Sequence, residues 1–374
     1  MPGETEGTAA RNATINRIAN IVLIVILSVA GLYFAAPFLI PLVLAALLAM
    51  LLNKGSSWLE RRGVSRALAS LIPVLLFIGA AAMIGALLSW QINRMADNFG
   101  QMREQVGAKI ESLLRWISET FGITAEEQKK MVTAQGKEAP AGSGSWLFSI
   151  VNTLTTVAVN TVLVLVYTYL LIYFRSHLRR SIVGLVPENK RTNAERIIRK
   201  SAAVSGHYLM GLFTMVGFLW IMYSIGFSII GLEGALLFAV LCGLLEIVPF
   251  FGNLMGSFIA LLAAIAQGGD AGMVIGVVVV YLTVQFLQTY ILEPLVVGQR
   301  VNINPLFTIL GLVAGELLWG IAGMALAIPI VAIVKIVCDN VPGLRAYGLL
   351  IGPEDKGRSR TSPLASLKRR LERK

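Results

Sequence analysis

The sequence has little charge, little cysteine and little histidine. Asp, Glu, Lys and Arg make up 14% of its 374 residues, against roughly 25% in a typical soluble domain. The cysteines, Cys242 and Cys338, lie far apart in apolar runs and form neither a CxxC pair nor a disulfide framework. The two histidines have no cysteine or carboxylate at ligand spacing, so we predict no metal site and no cofactor. A soluble domain of this size could not cover its surface with so few charges.

Hydrophobic residues instead reach 56%, and mean hydropathy is +0.74. The first uncharged run, residues 18–52, would be roughly 52 Å long as one helix, against a hydrocarbon core of about 30 Å. This run is therefore expected to fold back near Gly31 and Pro37 into two helices. The pattern predicts an all-α polytopic membrane protein with about eight transmembrane helices. Broken or re-entrant hairpins are expected in its C-terminal half, with a small external helical region before them.

Composition divides the chain into five segments. Two details concern the fourth segment, residues 206–338. Residues 234–248 are predicted to span the membrane and residues 249–266 to be re-entrant. Residues 306–337 are predicted to form either one tilted helix or a tight hairpin. The segments are 1–91 (N-terminal cytosolic stretch and three spans), 92–145 (external helical region and flexible linker), 146–205 (a fourth span and basic cytoplasmic amphipathic helices split by Pro187), 206–338 (a transport region with spans five to eight and broken hairpins) and 339–374 (a basic cytosolic tail).

The net charge of +11 indicates the orientation of the chain. Loop 53–66, stretch 175–200 and the tail 339–374 hold 4, 8 and 9 basic residues. Basic residues concentrate in cytoplasmic loops, so these segments and both termini are expected to be cytoplasmic, in contact with anionic lipid headgroups. Residues 92–145 carry seven basic and seven acidic residues and are expected to be external. The charge therefore does not call for nucleic acid as a partner.

Several motifs resemble the autoinducer-2 exporter family, also described as PerM-type permeases. They occur in the family's order and spacing over nearly the whole chain. The motifs are Leu59-Glu-Arg-Arg-Gly-Val-Ser-Arg-Ala-Leu-Ala69, Gly231-Leu-Glu-Gly-Ala-Leu-Leu, Gly243-Leu-Leu-Glu-Ile-Val-Pro-Phe-Phe-Gly252, Gln285-Phe-Leu-Gln-Thr-Tyr-Ile-Leu-Glu-Pro294, Val297-Gly-Gln-Arg-Val-Asn-Ile-Asn-Pro305 and Trp319-Gly-Ile-Ala-Gly-Met-Ala-Leu-Ala-Ile-Pro329. The chain departs from the family at Asn253, where members often have a second proline, and at Glu316, where the turn is often neutral.

The resemblance implies a multi-pass protein of the bacterial inner membrane, a homo-oligomer, and transport of small solutes. Members are associated with export of the quorum-sensing signal autoinducer-2, and some with sodium/proton antiport. A small polar solute, a monovalent cation or a proton is therefore the expected cargo. Membership does not fix which of these the protein carries.

Ionisable residues inside membrane segments are energetically costly and are candidates for function. Glu246 precedes a proline that leaves backbone carbonyls free, although it could instead end the span in water. Glu293 shares a polar stripe that lines a pathway or joins helices, or it caps a helix end. Glu316 lies within an apolar run or at a hairpin tip. The predicted pathway residues are Glu246, Pro249, Gly252, Asn253, Gln285, Gln288, Glu293, Pro294, Glu316 and Gly323.

The leading hypothesis is a secondary transporter that moves a small polar solute between two broken hairpins. Paired Gly/Pro-interrupted segments point to a transporter's binding site, and residues 238–266 and 307–335 both have this pattern. The sequence contains no GxxxxGK[ST] phosphate loop and no HExxH or GxSxG motif, so an ATP-driven pump and an intramembrane enzyme are not predicted. A sodium/proton antiporter and a membrane scaffold or assembly factor remain alternatives.

Overall fold

The computed structural model of the protein describes residues 3–96, 145–249, 251–297 and 303–353. Every regular element in these ranges is helical. The predicted external region lies outside the described residues beyond Ala96, as does the tail beyond residue 353. The helices are α1 (Gly3–Phe34), α2 (Ala36–Arg61), α3 (Arg66–Ala96), α4 (Ser145–Tyr173), α5 (Arg175–Gly184), α6 (Arg191–Ile229), α7 (Ala235–Leu245), α8 (Phe251–Ala266), α9 (Ala271–Leu287), a π-helix (Gln288–Val297), α10 (Pro305–Asn340) and α11 (Arg345–Ile351), with short 3₁₀ turns at Glu188–Lys190 and Pro342–Leu344.

Six helical segments among the described residues are long and apolar enough to cross a membrane, and a seventh is counted if α4 and α5 form one span bent by 70°. The exposed surface of these helices is strongly apolar, as on α1 from Ile15 to Phe34. Hydrophobic side chains on the outside are incompatible with water and match a hydrocarbon solvent. The all-α polytopic membrane architecture predicted from the sequence is confirmed. The first apolar run folds back at Ala35, as expected.

Six or seven candidate spans stand against the predicted total of about eight, and residues 234–248, which were predicted to span, contain only a short apolar helix. Helix α7 has 11 residues and α8 has 16, so their lengths are roughly 16 and 24 Å, short of the ~30 Å core. They form one re-entrant hairpin, here named hairpin A (Ala235–Ala266). Residues 188–200 also differ in detail, since the second amphipathic helix expected after Pro187 is the beginning of the 39-residue α6.

Helix α6 is the central column of the bundle. It packs against hairpin A, α2, α9, the π-helix and α10. One face buries a large side chain at every fourth residue, which is a spacing that places them on one side of an α-helix. This face consists of Met215, Leu219, Tyr223 and Phe227.

The long segment 305–340 is a tight hairpin, here named hairpin B (Pro305–Asn340). The backbone leaves helical geometry at Trp319 and at Gly320, whose φ is +59°. Beyond this turn the arms run antiparallel in close contact, since a Cβ on Gly323 would lie 1.9 Å from the carbonyl oxygen of Gly315. Of the two alternatives left open by the sequence, one tilted helix or a hairpin, the structure shows the hairpin.

The basic segments lie together at one end of the bundle, here named the basic end. Arg175, at the joint between α4 and α5, forms an ion pair with Glu60 and donates to Ser56 Oγ at 3.0 Å. Asn193, near the start of α6, donates to the carbonyl oxygen of Asn340 at 2.7 Å. Loop 53–66, stretch 175–200 and the last residues of α10 therefore share one end.

The two hairpins point in opposite directions. Hairpin A follows the end of α6 that is far from the basic end, and its turn points back into the bundle. Hairpin B starts and finishes at the basic end, and the indole of Trp319 at its turn donates to the carbonyl oxygen of Leu32 at 3.0 Å, just before α1 ends at Phe34.

Candidate functional site

The turn of hairpin A is closed by a backbone contact that only glycine allows. A Cβ on Gly252 would lie 1.8 Å from the carbonyl oxygen of Leu245. The turn also contains Pro249, which has no backbone N–H to donate, so the α-helical ladder stops there. Below the turn, the thiol of Cys242 donates to the carbonyl oxygen of Gly256 at 3.4 Å. These constraints fix Glu246 at the beginning of the turn, inside the bundle.

Glu246 connects hairpin A to the first residue of the π-helix by a side-chain hydrogen bond. Its Oε1 accepts from Gln288 Nε2 at 2.8 Å. Gln288 is only 6% exposed, and Glu246 is half-buried. Hydrogen bonds to charged groups contribute about 1.5–3 kcal/mol. The predicted residues Glu246 and Gln288, which lie 42 positions apart, are thus direct neighbours.

Two amide oxygens beside this hydrogen bond are buried without a protein partner. Within the described ranges, neither Gln285 Oε1 nor Gln288 Oε1 accepts a hydrogen bond. Buried polar atoms in native proteins are nearly always hydrogen-bonded, so each such atom requires an explanation. Together with the carboxylate of Glu246, they make the site rich in acceptors.

A tyrosine pair forms the neighbouring wall of the site, which we call the tip site (Glu246, Asn253, Tyr281, Gln285 and Gln288). The hydroxyl of Tyr281 donates to the backbone and side-chain oxygens of Asn253. Its ring stacks on Tyr223 of α6, with centroids 5.6 Å apart.

Sequence reasoning missed Tyr281 and Tyr223. A usable signal was present for Tyr281, because it precedes Gln285 by four residues and therefore lies on the same helical face. An isolated tyrosine in an apolar helix is also an ordinary core residue, and the sequence alone does not separate the two roles.

The helix changes geometry at the residue that binds Glu246. Helix α9 ends at Leu287, and residues Gln288–Val297 are π-helical. Such segments are rare and often occur at functional sites. Pro294 lies within this segment, where it cannot donate to a helical ladder.

The other predicted residues are not part of the tip site. Glu293 and Pro294 lie further along the π-helix and are exposed. Glu316 is on hairpin B, three residues before Trp319, and is also exposed. Gly323 packs against Gly315 at the turn of hairpin B. The two glutamates that precede the breaks therefore have different surroundings.

No group of three or more His, Cys, Asp or Glu side chains within the described ranges could hold a metal ion. The chemistry available at the tip site is that of hydrogen-bond acceptors and one carboxylate, held by a broken helix pair within an apolar bundle.

These features define a polytopic α-helical membrane protein with a polar site at the turn of a re-entrant hairpin. The chain belongs to the AI-2E transporter family: the family model, described as AI-2E family transporter, matches residues 22–343. It is therefore a member of a family of membrane transporters and permeases.

Three bacterial relatives are similar over most of their length. "Putative transport protein YueF" of Bacillus subtilis is 27% identical over 320 residues, which cover 82% of this chain and 85% of that protein. "Putative transport protein YhhT" of Escherichia coli is 26% identical over 340 residues, which cover 88% of this chain and 92% of that protein. "Putative permease PerM" of Escherichia coli is 27% identical over 340 residues, which cover 86% of this chain and 93% of that protein.

Proposed function

We propose that this protein is a permease that carries a small polar solute across the bacterial inner membrane along a pathway through the tip site. The hydrogen bond between Glu246 and Gln288 is the observation that carries the proposal. It joins the turn of a re-entrant hairpin to a second helix that changes from α to π at the contact. Sites formed by interrupted helices near the membrane centre are typical of secondary transporters.

The chemistry of the tip site favours a solute that donates hydrogen bonds. Gln285 Oε1 and Gln288 Oε1 are acceptors without a partner among the described residues, and the second oxygen of Glu246 adds another acceptor. A polyhydroxylated molecule such as autoinducer-2 would supply several hydroxyl donors to this surface. We therefore propose autoinducer-2 export, and with it a role in quorum sensing, as the specific function.

Sodium/proton antiport is a second candidate, favoured by the same oxygens. Carboxylate and amide oxygens are hard ligands that suit a hard cation, and Glu246 could bind a proton in exchange. The amide oxygens of Gln285 and Gln288 stay neutral in both states, so one carboxylate would alternate between the two ions.

The proposed orientation places the basic end in the cytoplasm. Lys and Arg accumulate in cytoplasmic loops, and the basic end gathers loop 53–66 and stretch 175–200. Both termini would then be cytoplasmic and residues 92–145 external, while the basic side chains contact anionic headgroups. We further propose that the protein is a homo-oligomer, as the family resemblance implies.

The test is flux in proteoliposomes. Purified protein of verified fold, checked by circular dichroism and size-exclusion chromatography, is reconstituted and assayed in parallel for autoinducer-2 movement and for sodium-dependent proton movement. Flux of autoinducer-2 supports export, and sodium-dependent proton flux supports antiport. Absence of both fluxes from folded protein would contradict both assignments. In that case, a cellular phenotype that is lost on deletion of residues 92–145 but kept when Glu246 is changed would favour a scaffold function.

A further inference from the structure

Helix α5 turns away from the bundle at the basic end. It is bent by 70° from α4, and the joint is fixed by the ion pair between Arg175 and Glu60 of α2. A helix at this angle to a transmembrane helix lies close to the membrane plane. Three exposed hydrophobic side chains, Leu178, Ile182 and Leu185, recur every three or four residues and form one stripe. Helix α5 is therefore amphipathic and suited to rest its apolar side in the membrane interface.

An apolar groove continues this stripe from α5 onto α4 and α2. It has a volume of about 230 Å³. Leu178 belongs both to the stripe and to the groove, and Leu170 and Phe174 are partly exposed along it. The lining includes Leu42, Leu170, Leu171, Phe174, His177 and Leu178. A groove of this composition, open on the outside of a membrane protein, is suited to a hydrocarbon chain and not to a polar molecule.

Cationic side chains lie at the end of the groove that belongs to α5. His177 lines the groove, and Arg180 is its neighbour at the i+3 position of the helix. Arg180 Nε donates to the carbonyl oxygen of Ser176 at 3.3 Å, and Arg66 Nη2 donates to Ser176 Oγ at 3.2 Å. Two guanidinium groups are thus held at one residue. No carboxylate within the described ranges forms an ion pair with either of them.

The combination of groove and cations matches the chemistry of an anionic phospholipid. Guanidinium groups bind phosphate oxygens through strong, charge-assisted hydrogen bonds, and basic pockets between membrane helices bind anionic headgroups. A free phosphate would use the arginines and leave the groove unfilled. A zwitterionic lipid would bring a cation of its own to two arginines that already lack an acidic partner. An anionic lipid satisfies both parts of the site.

We propose that the joint between α4 and α5 binds one anionic phospholipid, with an acyl chain in the groove and the headgroup phosphate at His177, Arg180 and Arg66. The site rests on the proposed function only for the contact of the basic end with anionic headgroups. It does not depend on transport, so its test needs no cargo.

The first test is lipid binding to the purified full-length protein in detergent. Phosphatidylglycerol, phosphatidylcholine and inorganic phosphate are titrated separately, and binding is measured as the rise in unfolding temperature. Phosphatidylglycerol should half-saturate at a concentration at least about tenfold lower than phosphatidylcholine, and inorganic phosphate should give no rise in the same range. Equal half-saturation by the two lipids would overturn the proposal. An equal rise with inorganic phosphate would also overturn it, because a free anion would then be the ligand.

The second test compares two neighbouring arginines. Successive residues of an α-helix are about 100° apart, so Arg179 lies on the opposite side of Leu178 from His177. Arg180→Gln should raise the half-saturating concentration of phosphatidylglycerol about tenfold, as expected for the loss of one hydrogen bond to a charged group. Arg179→Gln removes the same charge from the same helix and should stay within about twofold of the wild type. Equal weakening in both variants would show a diffuse charge effect and overturn the site.

The third test fills the groove. Leu170→Trp places a larger ring in the groove, whereas Val162→Trp adds the same ring at an exposed position of α4 that does not line it. Only Leu170→Trp should weaken phosphatidylglycerol binding, by about fivefold or more. Unchanged binding in folded Leu170→Trp would overturn the position of the chain. If that variant instead changes the subunit number in light scattering and keeps its lipid affinity, a second copy occupies the groove and the proposal is wrong. Selective lipid binding by a wild type that carries no cargo would contradict the proposed function and leave the lipid site standing.

Discussion

Hairpin A and hairpin B have the same components and use them differently. Each has two apolar arms, a glutamate before the break and a glycine at the closest approach of the arms. In hairpin A the glutamate is in the turn and is bonded to Gln288 inside the bundle. In hairpin B, Glu316 precedes the turn and is exposed, while Trp319 anchors the turn to α1. The position of the glutamate relative to the turn thus differs by a few residues, and the carboxylate is enclosed in hairpin A and exposed in hairpin B.

The comparison indicates that the hairpins have different roles. We infer that hairpin A carries the binding chemistry, because its turn presents Glu246 to Gln288 at the start of the π-helix. Hairpin B has its turn at the end of the bundle far from the basic end, and its contacts with α1, α2 and α6 are those of a structural support.

The largest expected effect is the loss of either turn when its glycine becomes alanine. In Gly252→Ala and Gly323→Ala the new Cβ would lie 1.8 and 1.9 Å from backbone oxygens, which cannot rotate away as a side chain could. We expect each variant to lose about 3 kcal/mol or more of stability, measured as thermal unfolding in detergent. Gly217→Ala is the control, since a Cβ there has nothing within 4 Å. Normal stability of either turn variant would mean that the arms do not approach so closely.

The next largest effect is expected on the transport rate, and it distinguishes the role of hairpin A from that of hairpin B. Gln288→Ala removes the bond to Glu246 and leaves hairpin B intact, so we expect an initial rate about tenfold lower, equivalent to about 1.5 kcal/mol. The measurement is flux in proteoliposomes at equal protein content. Thr289→Ala, at the exposed neighbouring position, should transport normally. A wild-type rate in Gln288→Ala would show that the hydrogen bond between Glu246 and Gln288 is not needed for transport.

A smaller effect is expected at the tyrosine wall. Tyr281→Phe removes the hydrogen bonds to Asn253 and retains the ring that stacks on Tyr223. The loss should be about 1 kcal/mol, seen as a modest drop in unfolding temperature and a severalfold lower flux. Tyr290→Phe, at an exposed ring, should change neither quantity. Equal behaviour of the two variants would show that the Asn253 contact does not organise the turn.

The smallest effect is expected at hairpin B. Trp319→Phe removes the indole N–H that bonds Leu32, and the exposed position limits the loss to less than about 1 kcal/mol. Thermal unfolding should shift slightly, and flux should remain that of the wild type. A transport loss as large as that of Gln288→Ala would place the turn of hairpin B in the pathway and erase the distinction between the hairpins.

The sequence was informative where a physical constraint acts locally. Long uncharged runs predict the membrane class, because charge is excluded from hydrocarbon. Glycines and prolines mark where helices break, as at Pro249 and Gly320. Gln285 of α9 and Gln288, the first residue of the π-helix, were identifiable because they are polar residues in an apolar run.

The remaining features depend on tertiary contacts. The pairing of Glu246 with Gln288 follows from how deeply hairpin A enters the bundle, which no local pattern specifies. Residues 234–248 were predicted to span, but α7 has only 11 residues and is too short to cross the hydrocarbon core. The change from α to π at Gln288 alters the periodicity itself, which α-helical spacing does not anticipate.

The central claim, that transport depends on the carboxylate of hairpin A and not on that of hairpin B, is tested most directly by comparing Glu246→Gln with Glu316→Gln. Both variants are reconstituted at the same protein-to-lipid ratio, and the initial rate is measured for the cargo that the wild type carries. We predict a rate at least about tenfold lower for Glu246→Gln and a rate within about twofold of the wild type for Glu316→Gln. A normal rate for folded Glu246→Gln, or an equal loss in both variants, would contradict it.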